Sequence, residues 1–280
     1  MRTDDGRTLA WLEVGAGPAL LCHPGGPGCS SIYFGDLPEL AAAHTLLVLD
    51  PRGAGQSSRP ADRSAYDLED YAADIEAVRE HLRIDRLDLL GHSHGGFVAI
   101  EWAGRNPERV GRLVLASTAP RFTDSIRGLR MERVAAHRGQ PYFEDAMAAL
   151  QDQQAGNYAT DDELAALYER AEAVFAAPGQ DLTPVAKMFR AAGINADAMK
   201  HFNERIAGGM DLRPMLERID APTLVIAGEH DAFGGPTTDE IAEALPDPTV
   251  VTVSGADHFA FLEPDNRAPW SRAVLDFLAV

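Results

Sequence analysis

A serine set between glycines, an aspartate past one apolar run and a histidine past another are the residues of this chain whose types and order could do nucleophilic chemistry. Ser93 stands in Gly91-His92-Ser93-His94-Gly95-Gly96, directly after the apolar run Leu87-Asp88-Leu89-Leu90. Glycines on both sides let the backbone turn sharply and push the serine oxygen outward, as a strand–turn–helix nucleophile requires. A hydroxyl is a weak nucleophile until a base takes its proton, and histidine is the side chain that titrates near neutrality. Asp231 ends Gly228-Glu229-His230-Asp231 after the run Thr223-Leu-Val-Ile-Ala227, and His258 lies in Gly255-Ala256-Asp257-His258-Phe259 after Thr249–Val253. The order serine, acid, histidine makes Ser93 the expected nucleophile, His258 the base and Asp231 the acid that orients it. His92 and His94 flank the serine and point away from its oxygen, and His230 cannot easily fold back on its neighbour. Glu229 and Asp257 are the rival acids.

Acyl transfer also needs N–H donors for the oxyanion. The loop His23-Pro24-Gly25-Gly26-Pro27-Gly28 follows an apolar segment and brings backbone N–H groups within reach of a ligand, while its prolines stiffen it. The expected oxyanion hole is the N–H of Gly26, with Gly25 as the alternative, and the N–H of His94. Gly25, Phe233 and Phe259, which adjoin these groups in sequence, are candidate substrate-binding residues.

Elements able to hold such a set can be read from periodicity. Thr8–Glu13, Ala19–Cys22, Thr45–Asp50, the run before Ser93, Val110–Ala116, Thr223–Ala227 and Thr249–Val253 read as strands. A helix carrying Leu68, Tyr71, Ile75, Val78 and Leu82 on one face follows Asp67, which with Asp70 supplies an N-terminal cap. Strand and helix then alternate, the pattern of a mostly parallel sheet flanked by helices. Residues 121–209 break that pattern with successive amphipathic helices. Thr160 and Glu163 form a capping box before Leu164, Leu167, Ala171, Val174 and Phe175; Phe143, Met147 and Leu150 mark a second helix and Val185, Met188 and Phe189 a third. The expected organisation is a core of residues 1–120 and 210–280 with a helical cap inserted at 121–209.

With 280 residues, 45% of them hydrophobic, the chain can bury a large core. A formal charge of −18 excludes the basic face that nucleic acid or an anionic membrane would need, and it disfavours acidic substrates. The first seven residues are polar and no later run could span a bilayer, so neither a signal peptide nor a membrane segment is expected and the protein is read as cytoplasmic. Cys22 and Cys29 lack metal-ligand spacing and read as reduced thiols. The chemistry calls for no metal and no cofactor, and the expected partner is a small-molecule or short peptide substrate.

From end to end the chain resembles the α/β-hydrolase superfamily, on the elbow Gly91–Gly95, Asp231 and His258. Within it, Gly25-Gly26-Pro27-Gly28 is similar to the end of the His-Gly-Gly-Pro-Gly motif of prolyl aminopeptidases, and Asp50-Pro51-Arg52-Gly53-Ala54-Gly55-Gln56-Ser57 to their Asp-x-Arg-Gly-x-Gly-x-Ser segment. Pro24 stands where that motif has histidine, His94 where a tryptophan is common, and Ala232 where some relatives carry a glutamate. The resemblance implies the α/β-hydrolase fold with an inserted cap, hydrolysis through an acyl-enzyme, and recognition of a free N-terminal amine by acidic side chains, for which Glu204 is the matching candidate. Relatives with the same loop cleave esters, lactones or thioesters, which is the alternative activity; a ligand-binding protein with an idle triad is the remaining one.

Overall fold

Strands apolar along their whole length belong in the middle of a sheet covered on both faces. The computed structural model describes residues 1–3, 5–175, 180–181 and 183–279 and bears this out. Seven strands, β1 (Ala10–Gly15), β2 (Ala19–His23), β3 (Thr45–Asp50), β4 (Leu87–His92), β5 (Val110–Ala116), β6 (Thr223–Gly228) and β7 (Pro248–Val253), form one sheet in the order β1-β3-β2-β4-β5-β6-β7. β1 runs antiparallel to β3 and every other pair is parallel. Side chains alternate between two cores with the period of a strand. Leu20, Cys22, Val48, Leu90, Val114 and Ile226 face one, shared with Trp270 and Val274 of the helix Arg267–Leu278. Leu21, Leu49, Leu89, Leu115 and Val225 face the other, with Ile75 and Val78 of the helix Leu68–Leu82 and Trp102 of the helix His94–Arg105. The fully buried Trp102 donates its indole N–H to Glu76 Oε2 at 3.0 Å, which ties those two helices together.

Register decides where the chemistry sits. His23 lies opposite Gly91, His92 opposite Ala116, and Ala116 opposite Ile226, so the loops that leave the carboxyl ends of β2, β4, β5 and β6 emerge side by side. The carboxyl edge of a parallel sheet is where such folds bind ligands.

Between β5 and β6 the described residues form helices and no strand of the sheet: Asp124–Ala135, Phe143–Ala155, Asp161–Ala171, Thr183–Ala192 and Ala196–His201. The chain leaves and re-enters the core at adjacent points, where Arg121 and Asp211 bridge and Leu212 N–H donates to Pro120 O at 2.8 Å. The capping box is formed, with Thr160 Oγ1 accepting from Glu163 N–H at 3.2 Å and Glu163 Oε2 from Thr160 N–H at 3.3 Å. The cap read at Asp67 is not. No hydrogen bond runs from its side chain to the helix behind it, because His201 of the inserted helices donates its Nε2–H to Asp67 Oδ1 at 2.7 Å and takes the carboxylate.

Candidate active site

The elbow is a sequence of close approaches that only glycine survives. A Cβ at Gly91 would stand 2.3 Å from Gly95 O, one at Gly95 2.1 Å from His23 O, and one at Gly96 2.4 Å from Thr118 Cβ. Between them Ser93 is driven to φ 54° and ψ −118°, a conformation L residues seldom adopt. Its amide is satisfied by Ala116 O at 2.9 Å and its carbonyl accepts from Thr118 Oγ1 at 2.8 Å, so the strain is held in place from β5.

Asp231 and His258 meet as the sequence suggests. Asp231, fully buried, accepts from His258 Nδ1–H at 2.9 Å and from the amides of Phe233 at 2.8 Å and Gly234 at 3.1 Å, all at Oδ1. Burial alone would raise the Asp231 pKa, but the charge and hydrogen bond of His258 and the Phe233 amide outweigh it and hold the carboxyl below the usual range. With Nδ1 committed to Asp231, the other imidazole nitrogen is left to face the cavity that His258 and Ser93 both line. The rival acids are engaged elsewhere. Glu229 Oε2 accepts from Ser254 Oγ and Gly255 N–H, each at 2.9 Å, and so staples the turn after β7. Asp257 faces Glu263, which accepts from Asp257 N–H at 3.0 Å, Gln180 Nε2 at 2.6 Å and Asn266 Nδ2 at 2.5 Å.

Burial, then the hydrogen bond and charge of Glu263, push the Asp257 carboxyl well above the carboxylate range, so it is neutral at pH 7. A carboxyl whose pKa is raised on folding keeps its proton in the folded state while the unfolded chain loses it, so stability falls as pH climbs from the ordinary carboxylate range to the raised value. Asp257→Asn, neutral at every pH, is therefore expected to flatten the decline of Tm between pH 5 and 9. Parallel Tm profiles for parent and variant would remove this assignment.

Gly26 and His94 line the cavity together, at φ +53° and at the first turn of the helix His94–Arg105, whose leading amides have no partner inside the helix. Gly25 is not among the lining residues; it packs beside Ser93, where a Cβ would meet Tyr33 Oη at 2.4 Å and Ser93 Cβ at 3.0 Å. Phe233 and Phe259 do line the cavity, whose volume is about 430 Å³. Glu204 does not. It is more than half exposed and pairs with Arg63 at 3.3 Å, because it lies in the turn of helix Phe202–Ile206 that faces the core's outer loops. Among the described residues no aspartate or glutamate lines the cavity.

Several residues that hold this site were not foreseen. His92 Nε2–H donates to His258 O at 2.8 Å, which leaves Nδ1 to accept from Tyr33 Oη at 2.8 Å; burial and then the nearby His258 depress its pKa to about 3, so this neutral tautomer persists. The chain Tyr33–His92–His258 thus anchors the loop that carries His258. Arg133, in the helix Asp124–Ala135, donates to Glu229 O at 2.9 Å and Asp231 O at 2.5 Å and clamps the loop that carries Asp231. Asn195, 2% exposed, donates to Gly53 O and Tyr66 Oη, each at 2.9 Å, and accepts from Arg59 at 2.7 Å. A Cβ at Gly28 would stand 2.4 Å from Asn195 Cβ, so the glycines of both loops admit this contact. Asp50 organises the second loop, accepting from Ser31 N–H at 2.7 Å and Gln56 N–H at 2.8 Å, and Arg52 is locked to Asp74 at 2.7 Å. Those motif residues tie the loop after β3 to Ser31 and to the helix Leu68–Leu82 and are not among the residues that line the cavity.

Comparison with known proteins bears on the family and the fold. The chain is 29% identical over 262 residues, 92% of its length and 88% of the relative's, to a 2-(acetamidomethylene)succinate hydrolase of Mesorhizobium japonicum. It is 27% identical over 263 residues, 89% and 86% of the two lengths, to a proline iminopeptidase of Clostridium botulinum. The structure of a hydrolase from Pseudomonas aeruginosa PA01 superposes with a TM-score of 0.75 at 29% identity, over 100% of this chain and 97% of that one. The family model for the alpha/beta hydrolase fold matches residues 18–265, and with the elbow, the sheet order and these relatives it establishes that the chain belongs to the α/β-hydrolase family.

Proposed function

We propose that the chain is a serine hydrolase of small esters, lactones or amides that lack a free N-terminal amine. Ser93 attacks the acyl carbon as His258 takes its proton, with Asp231 holding the imidazole and balancing its charge. The N–H groups of Gly26 and His94 receive the oxyanion, His258 returns the proton to the leaving group, and water cleaves the acyl-enzyme by the same steps in reverse order. The strained φ of Ser93 and the Asp231–His258 hydrogen bond support the machinery.

The character of the cavity supports the choice of substrate, and it carries this reading over aminopeptidase activity. A protonated amine taken out of water needs a carboxylate or several oxygen acceptors to replace its hydration. The lining instead holds Phe97, Phe122, Phe189, Phe202 and Phe233 with two arginines, and Glu204 is spent on Arg63. One relative is named for a succinate substrate and the other for proline, so names alone leave the choice open; the absence of a carboxylate among the described lining residues favours the first kind.

The test is to assay the protein against a short-chain aryl ester and a proline arylamide, with Glu204→Gln alongside. The ester is expected to be turned over, the arylamide not, and the substitution is expected to change neither rate by more than about twofold, as for an exposed ion pair. Preferential cleavage of the arylamide, with a sharply raised KM in Glu204→Gln, would restore the aminopeptidase reading.

A further inference from the structure

We propose that Arg130 is an anion subsite of the catalytic cavity, so that the substrate carries a carboxylate on one side of the scissile bond. The proposal rests on the serine hydrolase reading and adds the substrate's charge to it. Arg130 belongs to the helix Asp124–Ala135 and lines the cavity with Ser93 and His258. Its guanidinium carbon lies 3.8 Å from the centroid of the Phe233 ring and 5.1 Å from that of Phe175, and the Phe233 ring lies 4.8 Å from the imidazole of His258. The cation is thus one aromatic ring away from the base.

Those rings attract the positive charge through their faces but offer no acceptor to its five N–H donors. Nε is buried with no hydrogen-bond partner, and among the described residues no carboxylate pairs with Arg130. Its neighbours in the helix differ. Arg127 is 54% exposed and pairs with Asp124 at 3.4 Å, and Arg133 spends its N–H groups on the carbonyls of Glu229 and Asp231. Arg127 lines the cavity as well, at its open side, whereas Arg130 is the one of the three whose Nε is buried without a partner beside the Phe233 ring. Burial lowers its pKa to about 10, which leaves it a cation at neutral pH. A buried charge is costly unless matched, and the ligand that matches a guanidinium fork is a carboxylate, which accepts two parallel hydrogen bonds. The apolar rings around it suit a small acid with a hydrocarbon body. The formal charge of −18 argues against an acidic substrate only at long range. Salt screens surface charge over roughly 8–10 Å, whereas a cation inside the cavity acts at contact.

Two pairs of esters locate the carboxylate: mono(4-nitrophenyl) adipate and its methyl ester carry it on the acyl side, 4-acetoxybenzoate and its methyl ester on the leaving group. The acid is expected to have the higher kcat/KM in one pair at pH 7, and that pair names the side. Arg130→Gln is expected to lower the acid-to-methyl-ester ratio in that pair by about 10- to 100-fold, the worth of a charge-assisted hydrogen bond, and Arg130→Lys to recover part of it, since an ammonium keeps the charge and loses the fork. Calorimetry gives a readout that needs neither turnover nor a variant: adipate is expected to bind the parent and the neutral hexane-1,6-diol not. Preference for the methyl ester in both pairs, an equal fall of both members in Arg130→Gln, or failure of adipate to bind would overturn the subsite. Turnover of the methyl esters and phosphonate labelling of Ser93 report separately on the hydrolase reading, so the two failures are distinct.

Discussion

Ser93→Ala is expected to lower kcat/KM on a neutral aryl ester by about 10⁴-fold or more and to leave the fold intact, and a serine-directed phosphonate is expected to label the parent at Ser93 alone. The size follows from what is removed. Loss of the nucleophile ends the covalent route and leaves the oxyanion donors and binding, whose residual effect in serine proteases is far smaller than the whole. The fold is expected to survive because the strain at φ 54° is imposed by the Gly91, Gly95 and Gly96 contacts and by Ala116 and Thr118, none of which uses the serine oxygen. Alanine inherits that strain, whereas Ser93→Gly relieves it, so the glycine variant is expected to be equally inactive yet more stable, by about 1 kcal/mol. Retention of more than about a tenth of the activity in either variant, or a phosphonate adduct mapped elsewhere, would sink the covalent mechanism.

What was legible in the sequence was local or periodic. Apolar runs gave β3 and β5 their observed bounds, because a strand buried on both faces must be apolar throughout, and Gly91 and Gly95 announced a tight turn by leaving room for the close approaches on either side of Ser93. The Thr160–Glu163 box was readable because both partners lie within one helical turn. Pairings across the chain left no such mark. Asp67 looked like a cap until His201, 134 positions away, was brought beside it, and Arg59 reaches Asn195 over 136 positions. Glu204 matched a family position by spacing along the chain, but spacing does not say which side of a helix meets the cavity, and Arg63 draws it to the surface. Net charge is likewise blind to where a charge stands. It sums every residue, while the chemistry depends on the few that line one cavity, and there the charges are arginines.

Asp231→Asn is the second large effect, expected to lower kcat by about 10⁴-fold with little change in KM, as the equivalent change does in serine proteases. The amide matches the carboxylate in size and can keep the Phe233 and Gly234 N–H bonds at its oxygen, so the loop is expected to stay in place. What changes is the imidazole. All three bonds meet at Oδ1, so an asparagine that keeps its oxygen there holds Nδ1–H but supplies no negative charge to stabilise the imidazolium, while one that turns its N–H to Nδ1 gives up the two amide bonds and selects the tautomer whose proton sits on the nitrogen facing Ser93, where the base must accept one. Glu229→Gln and Asp257→Asn serve as the comparison, each expected to cost less than about tenfold, since Glu229 holds the turn after β7 and Asp257 is already uncharged at pH 7. The measurement is single-turnover release of the aryl leaving group, which isolates acylation from later steps. A severe loss in either comparison variant beside a mild one in Asp231→Asn would transfer the role of acid to that residue, and with it the account of how His258 is oriented.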